Sequence, residues 1–167
     1  MGRLDGTQTL LNLMKAFAGE SQARNRYTFF ASTANKEGFR QIEAFFTETA
    51  DNEKEHAKLF YRAMISGVDT LPATVEITGT FPLELRTTYE NLLAAAAGEH
   101  EEWSDLYLNW GKVAAAEGFP DIASIFEEVA EVEERHEARY LKLAENIKND
   151  TVFKRDEKVQ WKCRNCG

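Results

Sequence analysis

A carboxylate and an imidazole stand where the buried face of a helix should be. Ile122, Phe126, Val129, Glu133, His136, Tyr140, Leu143 and Ile147 follow one another in steps of three and four, so all eight share one face of an α-helix. Burying Glu133 and His136 among those apolar neighbours costs several kcal/mol unless something pairs with them. The fold of this chain must therefore bring a partner to that face.

The same interruption occurs twice. Ile42, Phe45, Phe46, Thr49, Glu53, His56, Phe60 and Met64 form a second stripe with a second Glu-x-x-His halfway along. The surrounding chain also repeats: Lys36-Glu37-Gly38-Phe39 is echoed by Ala116-Glu117-Gly118-Phe119, and Gly19-Glu20 by Gly98-Glu99. Gly38 precedes Glu53 by the same count as Gly118 precedes Glu133. Each half reads as one helical hairpin, and the chain as two copies of one unit.

Four helices account for most of the chain. The first spans about residues 6–36, with Leu10, Leu13, Met14, Phe17, Glu20, Arg24, Tyr27 and Ala31 on one side. The second spans 40–66, and the fourth follows a short turn at Gly118 and Pro120 and ends near Asn149. A third, about 83–117, carries Leu85, Tyr89, Leu92, Ala96, Glu99, Glu102, Leu106 and Val113. Between Gly67 and Pro82 the chain is too polar and too broken by Pro72 and Pro82 for a long helix, and reads as one long crossover. Short turns inside each half and one crossover between them give an all-α, ferritin-like four-helix bundle. Residues 1–149 form that domain, and 150–167 a short extended C-terminal tail.

Bulk properties exclude several partners. The net charge of −8 argues against nucleic acid or an anionic membrane surface. No window of 18 apolar residues exists and no signal pattern opens the chain, so a cytoplasmic protein is expected. The only cysteines, Cys163 and Cys166, lie at the C-terminus, so no disulfide framework holds the bundle.

Helix geometry brings the polar residues to one height. Glu20 lies 18 residues before Gly38 and His56 lies 18 after it, with Glu53 one turn nearer; Glu99 precedes Gly118 by 19, and Glu133 and His136 follow it by 15 and 18. Glu102 joins Glu99 at the i+3 position. Five carboxylates and two imidazoles are thus expected at one level. A single Glu-x-x-His on an acidic helix is ordinarily a solvated face. Two such pairs in apolar stripes, level with further carboxylates, would repel one another and unfold the bundle without counter-ions. The bundle rule for two-metal carboxylate sites is a Glu from each of two helices and a Glu-x-x-His from each of the others. Oxygen-rich coordination with one imidazole per ion suits iron or manganese better than zinc or calcium, and changeable carboxylate coordination makes iron the choice.

Gly19-Glu20-Ser21-Gln22-Ala23, Glu53-x-x-His56, Ala97-Gly98-Glu99-x-x-Glu102, Glu133-x-x-His136 and the closing Trp161-Lys162-Cys163-Arg164-Asn165-Cys166-Gly167 together resemble rubrerythrin along the whole chain. The resemblance implies a non-haem di-iron peroxidase, an oxidoreductase that reduces hydrogen peroxide to water in oxidative-stress defence. By position, Glu53 and Glu133 would bridge two irons, Glu20 would bind one, and Glu99 with His136 the other. Glu102 and His56 would alternate on the first iron, carboxylate when oxidised and imidazole when reduced. Tyr27 and Tyr107 would hydrogen-bond ligand carboxylates. A homodimer or larger assembly is implied, with electrons from rubredoxin or a rubredoxin reductase. The alternative, from the same fold, is a ferritin-like iron oxidation and storage protein.

The chain departs from that family in one respect. A rubredoxin-like iron centre needs two Cys-x-x-Cys knuckles, and only Cys163 and Cys166 are here. Residues 150–167 are accordingly expected to be a truncated rubredoxin-like segment, with a four-thiolate iron only if the other knuckle is supplied. A shortened or proteolysed chain, a metal shared between two chains, and a separate electron donor are the three accounts, and the stop at Gly167 favours the first.

Overall fold

The structure, a computed structural model, describes residues 3–154, 156–163 and 166. It contains α1 (Gln8–Lys36), α2 (Arg40–Gly67), α3 (Thr88–Glu101), α4 (Tyr107–Ala116) and α5 (Pro120–Lys148). A π-helical turn, Glu102–Leu106, joins α3 to α4 in one continuous helix, and there the Tyr107 N–H donates to the Glu102 carbonyl five residues back. Helix α1 lies along α2, and α3 and α4 along α5; contacts of α1 with α3 and α4, and of α2 with α5, close a four-helix bundle. No β-strand occurs among the described residues.

The sequence repeat reappears as repeated geometry. Gly38 and Gly118 adopt φ of +89° and +88°, a left-handed conformation that only glycine enters freely. Each ends its helix with the same pair of bonds: Phe39 N to Ala34 O and Phe119 N to Ala114 O at 2.8 Å, Gly38 N to Asn35 O and Gly118 N to Ala115 O at 3.1 Å. The turn glutamates then cap the opposite half. Glu37 Oε2 accepts from Thr88 N at 3.0 Å at the start of α3, while Glu117 accepts from Gln8 N at 3.0 Å and Thr9 N at 2.8 Å at the start of α1. These reciprocal caps fix the two hairpins in register, and with them the height of every Glu-x-x-His.

Residues 68–87 are the crossover, and α3 starts later than periodicity suggests. A reciprocal capping box between Thr87 and Glu90 begins the helix at Thr88, which leaves Leu85 exposed in the crossover. On α1 the buried position is Ala23 rather than Arg24, which is exposed. The stripe of α2 is buried at all eight expected positions. The third helix keeps its expected face through Leu92, Ala96 and Glu99; beyond the π turn the buried residues are Tyr107, Gly111 and Ala114, not Leu106 and Val113.

Two apolar clusters fill the bundle on either side of its middle. Leu13, Phe60, Ile122 and Phe126 anchor one, and Phe30, Ile42, Phe46 and Leu92 the other, each side chain stabilising the fold by roughly 1.5–3 kcal/mol. Beyond α5 the described tail residues form no further helix, and Phe153 stacks on Phe39 of the α1–α2 turn at 5.9 Å. In the closing motif Arg164, Asn165 and Gly167 lie outside the described residues.

Candidate metal centre

Between the two apolar clusters lies a layer of buried acid. Glu20, Glu53, Glu99 and Glu133 are at most 1% exposed, and His136 and His56 are 2% and 8% exposed. One ligand atom from each of Glu20, Glu53, His56 and Glu133 lies within 4.8 Å of the others, and the same holds for Glu53, Glu99, Glu133 and His136. Glu53 and Glu133 are common to both groups, so two cation sites would lie side by side and share two carboxylates.

Electrostatics ask for cations in that layer. Burial, together with neighbouring carboxylates, holds Glu20, Glu53 and Glu99 well above the ordinary carboxyl range. Burial pushes Glu133 upward too, but bonds from His136 and His56 outweigh it and bring it to about 2. One oxygen each of Glu20, Glu53 and Glu99 is buried without a hydrogen bond. His56 Nδ1 lies 2.7 Å from Glu133 Oε1, 3.0 Å from Glu53 Oε2 and 3.9 Å from Glu20 Oε2. His136 Nδ1 lies 2.6 Å from Glu133 Oε2 and 3.4 Å from Glu53 Oε1. A ring nitrogen carries one proton at most and cannot satisfy all of these oxygens. A divalent cation beside each imidazole could. The donor set, oxygen with one nitrogen per site, fits iron or manganese.

Two tyrosines complete the pattern with the symmetry of the halves. Tyr27 Oη donates to Glu99 Oε1 at 2.6 Å, and Tyr107 Oη donates to Glu20 Oε1. In both glutamates the other oxygen, Oε2, is the one without a hydrogen bond. Each tyrosine thus turns one carboxylate oxygen away and leaves its twin facing the layer. Burial raises both phenols well above their usual range, so they stay protonated donors at neutral pH.

Glu102 stands apart from both ligand groups. It is half-buried and lines a cavity between α1 and α3, and burial, with the Glu133 charge, pushes it up to about 8. Of the five carboxylates expected at one level, four make up the two groups, and Glu102 lies outside both with its carboxyl against that of Glu99. Exposed Cys163 and Cys166 belong to the tail and to neither group. His100 is exposed, with Nδ1 3.1 Å from Glu137 Oε2. Sequence reading missed Asn52, whose Nδ2 lies 3.1 Å from His136 Nε2 and orients that ring from behind. A polar residue on a helix shoulder beside Glu53 gives no signal of such a role.

The rubrerythrin family model matches residues 12–144 and 90–161. Rubrerythrin of Clostridium perfringens is 54% identical over 168 residues, covering all of this chain and 85% of that protein. The chain belongs to the rubrerythrin family. Rubrerythrin of Nitratidesulfovibrio vulgaris is 45% identical over the same shares. Among solved structures, nigerythrin in a fully reduced, all-ferrous state is similar at a TM-score of 0.73 and 29% identity, covering 87% of this chain and 72% of that one. A Desulfovibrio desulfuricans bacterioferritin, 21% identical with a TM-score of 0.71 over 86% of this chain and 82% of its own, shares the fold. Within the rubrerythrin frame the acidic layer suits a pair of irons. No helix among the described residues is long and apolar enough to cross a membrane.

Proposed function

We propose that this rubrerythrin-family chain is a di-iron peroxidase that reduces hydrogen peroxide to two waters, consuming two protons and two electrons from an external rubredoxin-type donor. The observation that carries this reading is the pair of buried ligand groups sharing Glu53 and Glu133, with a further carboxylate, Glu102, held just outside. Glu20 and His56 would hold one iron, Glu99 and His136 the other, and Glu53 and Glu133 would bridge them. Bound there, the iron pair supplies two reducing equivalents and polarises peroxide oxygen.

The chain's own residues prepare that chemistry. Tyr107 and Tyr27 hold Glu20 and Glu99 in one orientation through their Oε1 atoms. The apolar clusters above and below exclude water from the layer. Glu102 and His56 would alternate on one iron, and Glu102 lies just outside the group that contains His56. A carboxyl poised near neutrality in a cavity can hand a proton to a departing oxygen. Cys163 and Cys166 would supply two of the four thiolates of a rubredoxin-type iron, completed by a second knuckle. The test is single-turnover oxidation of the diferrous protein. Peroxide should oxidise it faster than dioxygen at equal concentration, and equal or slower oxidation by peroxide would overturn the reading.

A further inference from the structure

The two tyrosines that hold Glu99 and Glu20 are equivalent where they meet the metal layer and differ on their far sides. Tyr27 leads inward. Its ring meets Phe30, Phe46 and Tyr140 at 6.0, 6.1 and 5.6 Å between centroids, and all three of those side chains are fully buried. The Arg26 guanidinium also lies over the Tyr27 ring, 5.6 Å from its centroid. A cation there favours the electron-rich ring and opposes the loss of an electron from it.

Tyr107 leads outward. Its ring lies 5.8 Å from that of Trp110, the next turn of α4. Trp110 is only partly buried and packs on Phe126 at 6.0 Å. It also lines a cavity of about 230 Å³ beneath crossover residues 78–82, room well beyond the roughly 10–15 Å³ that seats one water. Exposed Thr80 and Glu101 line the same cavity, which therefore opens to solvent. Glu20, Tyr107 and Trp110 thus form a continuous line from a buried carboxylate to an indole that solvent can reach. Phenol and indole give up an electron far more readily than a phenylalanine ring or an aliphatic side chain.

We propose that Tyr107 and Trp110 form an oxidative discharge path: when hydrogen peroxide reaches the metal layer with no external donor present, the electrons it takes are drawn from Trp110. The proposal rests on the peroxidase reading given above. In each transfer Tyr107 gives one electron inward and its hydroxyl proton to Glu20 Oε1, the atom it already bonds. Trp110 then returns an electron to Tyr107, and the proton comes back. Over two transfers Trp110 and one water release two electrons and two protons, leaving hydroxytryptophan. Hydrogen peroxide gains two electrons and two protons, its O–O bond breaks, and it leaves as two waters. The oxygen lands on an indole at the cavity rather than on a ligand of the layer.

Peptide mapping by mass spectrometry tests it, after anaerobic treatment of the iron-loaded full chain with excess hydrogen peroxide in heavy-oxygen water without reductant. Trp110 should carry one heavy oxygen in most molecules, while Trp103 and Trp161, the latter 63% exposed, stay largely unmodified. The metal-free chain should lose that label, although free peroxide reaches the same cavity. Tyr107→Phe, compared at equal iron content, leaves Trp110 in place but breaks the line and should lose the label too. In Trp110→Phe, which keeps a ring against Phe126, oxidation should move to the peptides bearing Tyr107, His56 or His136. Label on Trp161 or Trp103 in preference to Trp110, oxygen drawn from peroxide instead of water, or equal label in the metal-free chain would overturn the path. The peroxidase reading survives any of these if peroxide still oxidises the diferrous chain faster than dioxygen does. If it does not, both fall together.

Discussion

At the scale of single residues, the centre depends on which carboxylate oxygen is left unpaired. Tyr27 and Tyr107 bond Oε1 of Glu99 and Glu20, and Oε2 of each faces the layer. Removing either hydroxyl frees a buried carboxylate to rotate. Tyr27→Phe and Tyr107→Phe should each lower affinity for a divalent metal about 10–100-fold, the usual cost of losing a partner that orients a ligand. Titration with cobalt(II) as an optical probe measures this, and unchanged affinity in both variants would mean that the carboxylates are held by packing alone. Polar neighbours such as Asn52 were invisible in the sequence because their function depends on what stands across the bundle. The residues of the two buried groups were legible, since each breaks an apolar stripe at a similar distance from a turn glycine.

At the scale of elements, the π turn Glu102–Leu106 decides what the third helix presents. In a regular helix Tyr107 would point about 140° away from Glu102. One extra residue in the turn brings Tyr107, Gly111 and Ala114 back to the core face and gives Tyr107 its bond to Glu20. Deleting exposed Ser104 should close the turn to a regular helix with those residues still facing inward. Deleting Asn109 instead would rotate Gly111 and Ala114 out of the core. The Asn109 deletion should lower the melting temperature several times as far as the Ser104 deletion, and equal losses would contradict a π turn that absorbs one residue. This explains how much of the fold could be read from the chain. Stripes at regular spacing gave α2 and most of α5, and the echoed glycines gave the turns. Leu106 and Val113 were misplaced because strict 3.6-residue periodicity slips by one position across an inserted residue, and Leu85 because the Thr87–Glu90 capping box starts α3 later than its apolar spacing suggests.

At the scale of the whole molecule, a bundle with an acidic layer at its middle is stable only if that layer is neutralised. Burial raises Glu20, Glu53 and Glu99 well above 4.5 and Glu102 to about 8, so the folded metal-free chain binds these protons more tightly than the unfolded chain does. Their contribution to stability is complete below about pH 4.5 and is lost as pH rises, for Glu102 through about 8. Glu133, at about 2, works in the opposite sense, but its contribution is lost only in strong acid. The melting temperature of the metal-free protein should therefore fall from about pH 5.5 to about pH 8.5, and ferrous iron should raise it most at the upper end, where metal takes the place of the missing protons. A metal-free protein that becomes more stable across that interval would refute this account.

The central claim is that six buried residues from four helices hold two irons with two carboxylates shared between them. Iron content with Mössbauer spectroscopy of the anaerobically reconstituted chain tests it most directly, because oxygen- and nitrogen-ligated iron is resolved from any thiolate-bound iron of the tail. The prediction is two irons per chain in a coupled oxygen- and nitrogen-ligated pair, abolished together when Glu53 and Glu133 are both replaced by alanine. A single such iron, or an intact pair in the double variant, would contradict it.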